Sequence, residues 1–449
     1  RQNRSELYNL NVDRPVPLAP WELRFGLPER VDHNGTIVED LLPEAIQTCV
    51  QLIEEAGVDG IAVSFLFSFL NPAHEEAVLA ALEKLPNNPF ISISSKVLPE
   101  FREYERTSTV VINSYVGQVV SRYLTNLENS LGKGLRIMQS SGGSITARLA
   151  ADQPVRTILS GPAGGVVGAF YTGVQAGYPD IITLDMGGTS TDVSLCPSRI
   201  KETTGSQVGG YPISVPMIDI HTVGAGGGSI ARVDAGGALV VGPQLAGADP
   251  GPACYRQGGT DATVTDANVV LGYINPTAIA GGTVDVDLEA AREALDRSAA
   301  KQLGIDTTDA AYGVYAVANT TMIRAIKSVT TFRGRDPRDF TLMAFGGSGP
   351  VHAALIARSL GIRQIIVPGS PGVFSALGLL EALPEYGFSR TLIADPAQVS
   401  ADVIIDAFDQ LESSSLERLK DEALNEAITG SWSRTADLRY RGQAYELTV

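Results

Sequence analysis

The run I-I-T-L-D-M-G-G-T-S-T-D-V-S-L, residues 181–195, constrains the fold of this chain more than any other stretch. An apolar segment meets two glycines, a cluster of hydroxyls and a carboxylate, and then a second apolar segment. That pattern predicts two strands joined in a hairpin by a tight polar turn. Gly187 and Gly188 remove Cβ atoms where the backbone must turn and where a ligand would approach it. Thr189, Ser190 and Thr191 add hydroxyls, and the N–H groups of such a turn can face an anion. Asp185 stands at the strand exit, where a carboxylate can hold Mg2+ through water. This is the chemistry of a hairpin wrapped around a nucleotide phosphate. An ordinary Gly-Gly hairpin with a polar tip would use the same residue types.

The chain has 449 residues, room for about three domains, and a net charge of −16. That charge excludes a broad nucleic-acid surface, which needs a basic stripe, but allows a local basic pocket. Cys49, Cys196 and Cys254 are far apart and form no C-x-x-C pair, which suits a reduced compartment. There is no secretory signal and no apolar stretch of bilayer length. The longest apolar stretch, 61–70, carries Ser64 and Ser68. A cytoplasmic protein with neither nucleic acid nor membrane as partner is expected. The chain opens on Arg1 in a polar stretch and stops at Val449 inside a strand-like segment, as a fragment would.

Three parts are expected: 1–160, 161–394 and 395–449. In the first, a helix is predicted over 43–56, with Pro43 in its first turn and Gly57 as its stop. A buried strand over 58–67, a helix over 71–85 capped by Asn71 and a short strand over 90–94 follow. A long helix over 107–129 and a strand over 135–139 complete an α/β alternation, hence a sheet covered by helices. S-G-P-A-G-G-V-V-G-A-F, 160–170, predicts a glycine-rich helix entry, with Gly165 and Gly168 for packing and Gly161 near phosphate. The second part continues through β-rich 211–242, helical 285–330, a strand over 340–345, a helix over 351–360 and a strand over 365–367. A charged helix over 401–424 followed by strand marks the third part.

Two more glycine loops stand out. In H-T-V-G-A-G-G-G-S-I-A, 221–231, Gly224, Gly226, Gly227 and Gly228 can wrap an anion or form a flexible turn. Ser229 breaks a G-x-G-x-x-G fingerprint, and no Lys-Ser/Thr follows to make a P-loop. His221 beside it is either a ligand or a hydrogen-bonded structural residue. In A-F-G-G-S-G-P-V-H, 344–352, a strand runs straight into glycines and a helix. Gly346, Gly347 and Gly349 would let a flat adenine or ribose lie on bare backbone at a sheet's carboxyl edge, or simply make a tight turn. His352 is expected to have a local structural role. Further along, D-P-G-P-A-C-Y precedes T-V-T-D-A-N, 263–268, where Asp266 and Asn268 read as the cap and first turn of a helix. They could equally face a metal or substrate. Cys254 lacks a neighbouring base in sequence, and zinc spacings are absent.

Taken in order, these strings resemble the hydantoinase/oxoprolinase family and its A-type subunits. The matching pieces are V-L-P-E-F-R-E-Y-E-R-T-S-T, T-I-L-S-G-P-A-G-G-V-V-G-A, L-D-M-G-G-T-S-T-D-V, G-A-G-G-G-S-I-A, P-G-P-A-C-Y, T-V-T-D-A-N, F-G-G-S-G-P-V-H-A, P-G-V-F-S-A-L-G and R-Y-R-G-Q-A-Y-E-L. The resemblance implies an α/β fold of the actin-like ATPase type, with two ribonuclease-H-like lobes and a truncated N-terminal lobe. It also implies the start of a C-terminal α+β domain. The family's first phosphate hairpin, of the D-x-G-G-T-F-T-D type, is not in this sequence.

The activity so implied is ATP-dependent hydrolysis of a cyclic amide, hydantoin or 5-oxoproline in type, through a phosphorylated intermediate. Alternatives are an acetone-type carboxylase subunit and a non-catalytic nucleotide-binding subunit. ATP and Mg2+, or another divalent metal, are the implied cofactors. A B-type subunit and a small cyclic amide or ketone are the implied partners. By resemblance, Asp185, Gly187, Gly188, Thr189 and Thr191 would hold phosphate and metal, while Gly226 and Gly227 are cofactor-binding candidates from the anion-wrapping reading of their own loop. Gly346, Gly347 and Gly349 would hold adenosine. Asp185, Asp192 and Asp266 are the catalytic candidates, and Asp185, His221 and Asp266 the metal candidates. Alone, this length of chain is expected to have weak or no ATPase activity.

Overall fold

A computed structural model describes residues 16–132, 134–277, 285–392, 399–421, 430–440, 442–443 and 446–449. Its N-terminal part is built on a parallel strand pair, Gly60–Val63 and Phe90–Ile93. The helix Ala73–Leu82 crosses between them, and Pro43–Ala56 packs alongside. Ile46, Cys49, Ile53, Ile61, Val63, Val78, Leu82 and Ile93 bury one core. Pro43 starts the first helix and Gly57 ends it at φ +60°, as its sequence predicts. The expected strand over 58–67 shrinks to four residues. The phenylalanine-rich stretch after it turns away, with Phe67 in the left-handed region.

The long helix runs from Glu103 to Leu131, starting four residues before the expected 107. Arg106 near its start is 1 % exposed. Its guanidinium donates to the carbonyls of Glu100 (2.8 Å) and Phe65 (2.7 Å), fixing the helix to the loops around the first sheet.

The second part is organised by a five-stranded sheet. Its strands are β1 (Asp180–Met186), β2 (Thr191–Pro197), β3 (Ile220–Val223), β4 (Thr341–Phe345) and β5 (Ile365–Ile366), in spatial order β3-β2-β1-β4-β5. β1–β2 and β2–β3 are antiparallel, while β4 runs parallel to both β1 and β5. Each face has its own core, which explains the near-continuous apolar run of β1. Ile182, Leu184 and Met186 pack with Met322, Ile326 and Ile356 from the helices Thr307–Val329 and Gly349–Leu360. Ile181, Met343 and Phe345 pack on the other face with Ala163, Val166 and Ala169 of the helix Ser160–Gln175, and with Phe374.

That helix runs antiparallel to β1. Gly165 near its start abuts Phe345, at the exit of β4, and Gly173 near its end abuts Ile181, at the entry of β1. Its N-terminus therefore faces the carboxyl edge of β1 and β4.

The charged helix Ala401–Asp421 and the strand pair Asp437–Leu438 with Leu447–Thr448 close the chain. Residues 422–424 of the expected helix lie outside the described residues, as do 395–398 at the start of the expected third part. Among the described residues, no helix is long and apolar enough to cross a membrane.

Candidate active site

Three glycine loops meet at the carboxyl edge of β1 and β4. The first is the hairpin turn after Met186. The second follows β3 and tucks beneath it: Gly227 N–H donates to Gly187 O (3.0 Å) and Gly228 N–H to Gly188 O (2.7 Å). The third follows β4, where Ser348 N–H donates to Met186 O (2.9 Å). Gly227 is their common point. A Cβ there would lie 2.8 Å from Thr265 Oγ1, 3.1 Å from Ser348 Oγ and 3.8 Å from Gly187 O.

The loops divide into an outer and an inner set. Gly188, Thr189 and Gly347 are exposed and Gly187 is half-buried. Cβ positions built on Gly187, Gly188 and Gly347 face open space. These residues leave backbone and a hydroxyl open at the sheet edge.

Gly226 and Gly227 are buried, and their N–H groups are spent inside the protein, on Ser229 Oγ and Gly187 O. A Cβ on Gly226 would sit 2.6 Å from Gly188 O. The expected anion-wrapping role does not fit them; they let two backbones touch. Thr191 is likewise fully buried, its hydroxyl donating to Ala225 O, so it ties the first loop to the second instead of facing outward. Gly349 lets its helix start close against Leu184 O, 3.1 Å from the Cβ it lacks. Gly346, at φ +79°, is pressed between Asp185 and Met186.

Two carboxylates lie just inside this edge. Asp185 and Asp192 are directly opposed in the β1–β2 register, which sets their Cβ atoms about 5 Å apart on one face. Burial and then the neighbouring Asp192 push Asp185 up to about 6, against a hydrogen bond from Ser375 that lowers it. Burial also raises Asp192, offset by the Thr222 hydroxyl that donates to it.

The other metal candidates are elsewhere. His221 is paired with Val193, and strand alternation sends it to the face opposite Asp185 and Asp192. Asp266 is 0 % exposed, and its carboxylate accepts from Cys254 N (2.7 Å), Thr263 N (2.8 Å) and Thr263 Oγ1 (2.7 Å). It is the third residue of a helix capped by Thr263, in a reciprocal capping box. Asp266 is therefore neither the cap the sequence predicts nor a free ligand. Its oxygens hold the Cys254 loop to the helix and are engaged there, not open to a metal or substrate. Among the described residues, no three His, Cys, Asp or Glu side chains gather as a metal cage.

Burial and the nearby Asp266 raise the Cys254 thiol well above its ordinary value, the reverse of an activated nucleophile. His352 is buried and stacked on Tyr315 with ring centroids 4.9 Å apart; burial lowers it to about 4. This is the structural role expected of it.

Three further contributors are not singled out by the sequence patterns. Thr265 and Ser348 seal the loop junction with their hydroxyls, and Ser375 reaches Asp185 from a separate helix. Thr265 was visible only as part of T-V-T-D-A-N, and Ser375 only as part of P-G-V-F-S-A-L-G.

Residues 106–386 match the hydantoinase/oxoprolinase family, and residues 1–85 match its N-terminal region. The chain belongs to the hydantoinase/oxoprolinase family. An uncharacterised relative from Methanocaldococcus jannaschii is 38 % identical over 100 % of this chain and 68 % of its own length. The caprolactamase subunit alpha of Pseudomonas jessenii is 34 % identical over 96 % of this chain and 63 % of its own. This chain thus spans about two thirds of these family members.

Two solved structures of the family superpose closely. The ATP-dependent caprolactamase of Pseudomonas jessenii gives a TM-score of 0.83 at 34 % identity, covering 98 % of this chain and 65 % of that one. Nucleotide-free acetone carboxylase, from work on ATP-dependent acetone carboxylation, gives 0.78 at 30 % identity, covering 97 % and 64 %.

Proposed function

We propose that this chain forms the nucleotide-handling part of an A-type subunit that uses ATP to open a cyclic amide. The observation that carries the reading is the outer rim of Gly187, Gly188, Thr189 and Gly347 at one sheet edge, with Asp185 and Asp192 just inside it. The strand order, three antiparallel neighbours followed by two parallel ones, supports an actin-like lobe of the ribonuclease-H type.

The residues fit MgATP. Backbone facing open space suits phosphate oxygens. Two carboxylates, with no third such ligand among the described residues, suit Mg2+, which keeps waters and phosphate oxygens in its shell. Bound MgATP would supply the phosphoryl group that converts an inert amide oxygen into a leaving group. The chain's own residues then have distinct tasks. The hairpin turn holds the phosphate end, and Gly347 gives the nucleoside a bare backbone surface. Asp185 and Asp192 hold the cation, or take a proton from the attacking water if the cation is absent from that position. The buried second loop keeps the two outer loops at a fixed separation.

The B-type partner and the cytoplasmic setting belong to this proposal. A ketone carboxylase subunit is the second reading, favoured by the likeness to acetone carboxylase. The full-length protein with its B-type partner distinguishes them. Phosphate release that requires a lactam, hydantoin or 5-oxoproline supports the amidase. Release that requires bicarbonate and a ketone supports the carboxylase. Release indifferent to all of them removes both.

A further inference from the structure

The string P-G-V-F-S-A-L-G forms the helix Phe374–Glu381 and the turn before it. This helix lies on Ser160–Gln175 at backbone contact. A Cβ on Gly378 would lie 1.7 Å from Gly164 O, and one on Gly164 would lie 2.9 Å from Ser375 O. Phe374 locks its start from below, with its ring centroid 5.0 Å from that of Phe345. The turn before it accepts a bond from the third glycine loop, Gly346 N–H to Pro371 O, at 2.9 Å. The segment is thus fixed to both a neighbouring helix and the candidate site.

From this anchored position the Ser375 hydroxyl donates to Asp185 Oδ2 at 3.3 Å. The other carboxylate oxygen, Oδ1, is 2.5 Å from where a Gly346 Cβ would be. Gly165 leaves room for the hydroxyl, since a Cβ there would approach Ser375 Oγ to 3.0 Å. The carboxylate is held on one side by a hydroxyl and on the other by bare backbone.

We propose that Ser375 is the positioning residue of Asp185: its hydroxyl, carried on a helix packed glycine against glycine, fixes the direction in which that carboxylate faces the glycine-rich edge. The assignment deepens the nucleotide-site reading of Asp185 and rests on it for its functional meaning. Its physical content is measurable without nucleotide.

The charged group facing Asp185 is Asp192, from β2. β4, the loop 346–348, the turn 371–373 and the helix Ser160–Gln175 contain no Asp, Glu, Lys, Arg or His. Glu381 is at the far end of the Ser375 helix, and His221 is on the opposite sheet face. With no charged side chain on those elements, it is the Ser375 hydroxyl that reaches the Asp185 carboxylate.

The test pairs crystal structures of the full chain and its Ser375→Ala variant with calorimetric titration of MgATP. Ser375→Ala is expected to turn the Asp185 carboxylate away from its wild-type direction and to weaken MgATP binding about tenfold. Ser375→Cys fills much the same space with a weaker donor and is expected to weaken binding less. A folded Ser375→Ala protein whose Asp185 carboxylate keeps its direction overturns the proposal. If the carboxylate turns as expected and MgATP fails to bind wild-type protein, the positioning role stands and the nucleotide reading fails.

Discussion

Asp185 is held at a cost to the fold. Its carboxyl titrates near 3.8 in an unfolded chain and at about 6 in the folded one. Between those values the folded state binds more protons than the unfolded state. The stability this group contributes is therefore complete below pH 3.8 and is lost as the pH rises through 6. Asp185→Asn should stabilise the nucleotide-free protein at pH 7 by about 1–2 kcal/mol, after discounting partial solvent screening. It should give no gain at pH 3.5, as paired denaturant titrations would reveal. Asp266 predicts the opposite. Asp266→Ala removes three buried hydrogen bonds, one of them half of the capping box, and should cost about 2–4 kcal/mol. That loss should be the same with and without Mg2+; a loss that appears only with Mg2+ would restore the metal reading. Residue identity alone could not separate these two aspartates. Both stand in polar strings beside apolar segments, and only the partners brought in by the fold differ.

Among the elements, those with a strong local signal were legible. The β1–β2 hairpin follows from its apolar runs and paired glycines, and Pro43–Ala56 from its period, its proline and its terminal glycine. The place of β4 beside β1 has no local signature, because helices and a long β-rich stretch separate them in sequence. Nor does sequence tell an inner glycine from an outer one. Gly226 and Gly347 occur in similar strings, yet one lies under a backbone and the other faces open space. Alanine at each should separate the two roles. Gly226→Ala places a Cβ 2.6 Å from Gly188 O, and should destabilise the protein by about 1–3 kcal/mol through displacement of the hairpin. Gly347→Ala should change stability by under about 0.5 kcal/mol while weakening MgATP binding. Calorimetric unfolding and nucleotide titration on the same two variants check both statements. Equal destabilisation by the two substitutions would contradict the inner and outer assignment.

For the whole molecule, one core lies on each face of the five-stranded sheet and another on the N-terminal strand pair, while much apolar surface remains outside. Leu380, on the helix that carries Ser375, is 83 % exposed, and Leu383, just past the end of that helix, is 78 % exposed. The curated relatives are about half as long again as the stretch they share with this chain. Substrate-dependent phosphate release is expected from the full-length protein with a B-type partner, and little or none from residues 1–449 alone. In the proposed function, two outer glycine loops at one sheet edge hold one nucleotide. Hydrogen–deuterium exchange on the full-length protein, with and without MgATP, tests it directly. The account predicts that 187–190 and 346–348 gain protection together. Protection confined to one of these loops, or to neither while nucleotide is bound, would contradict it.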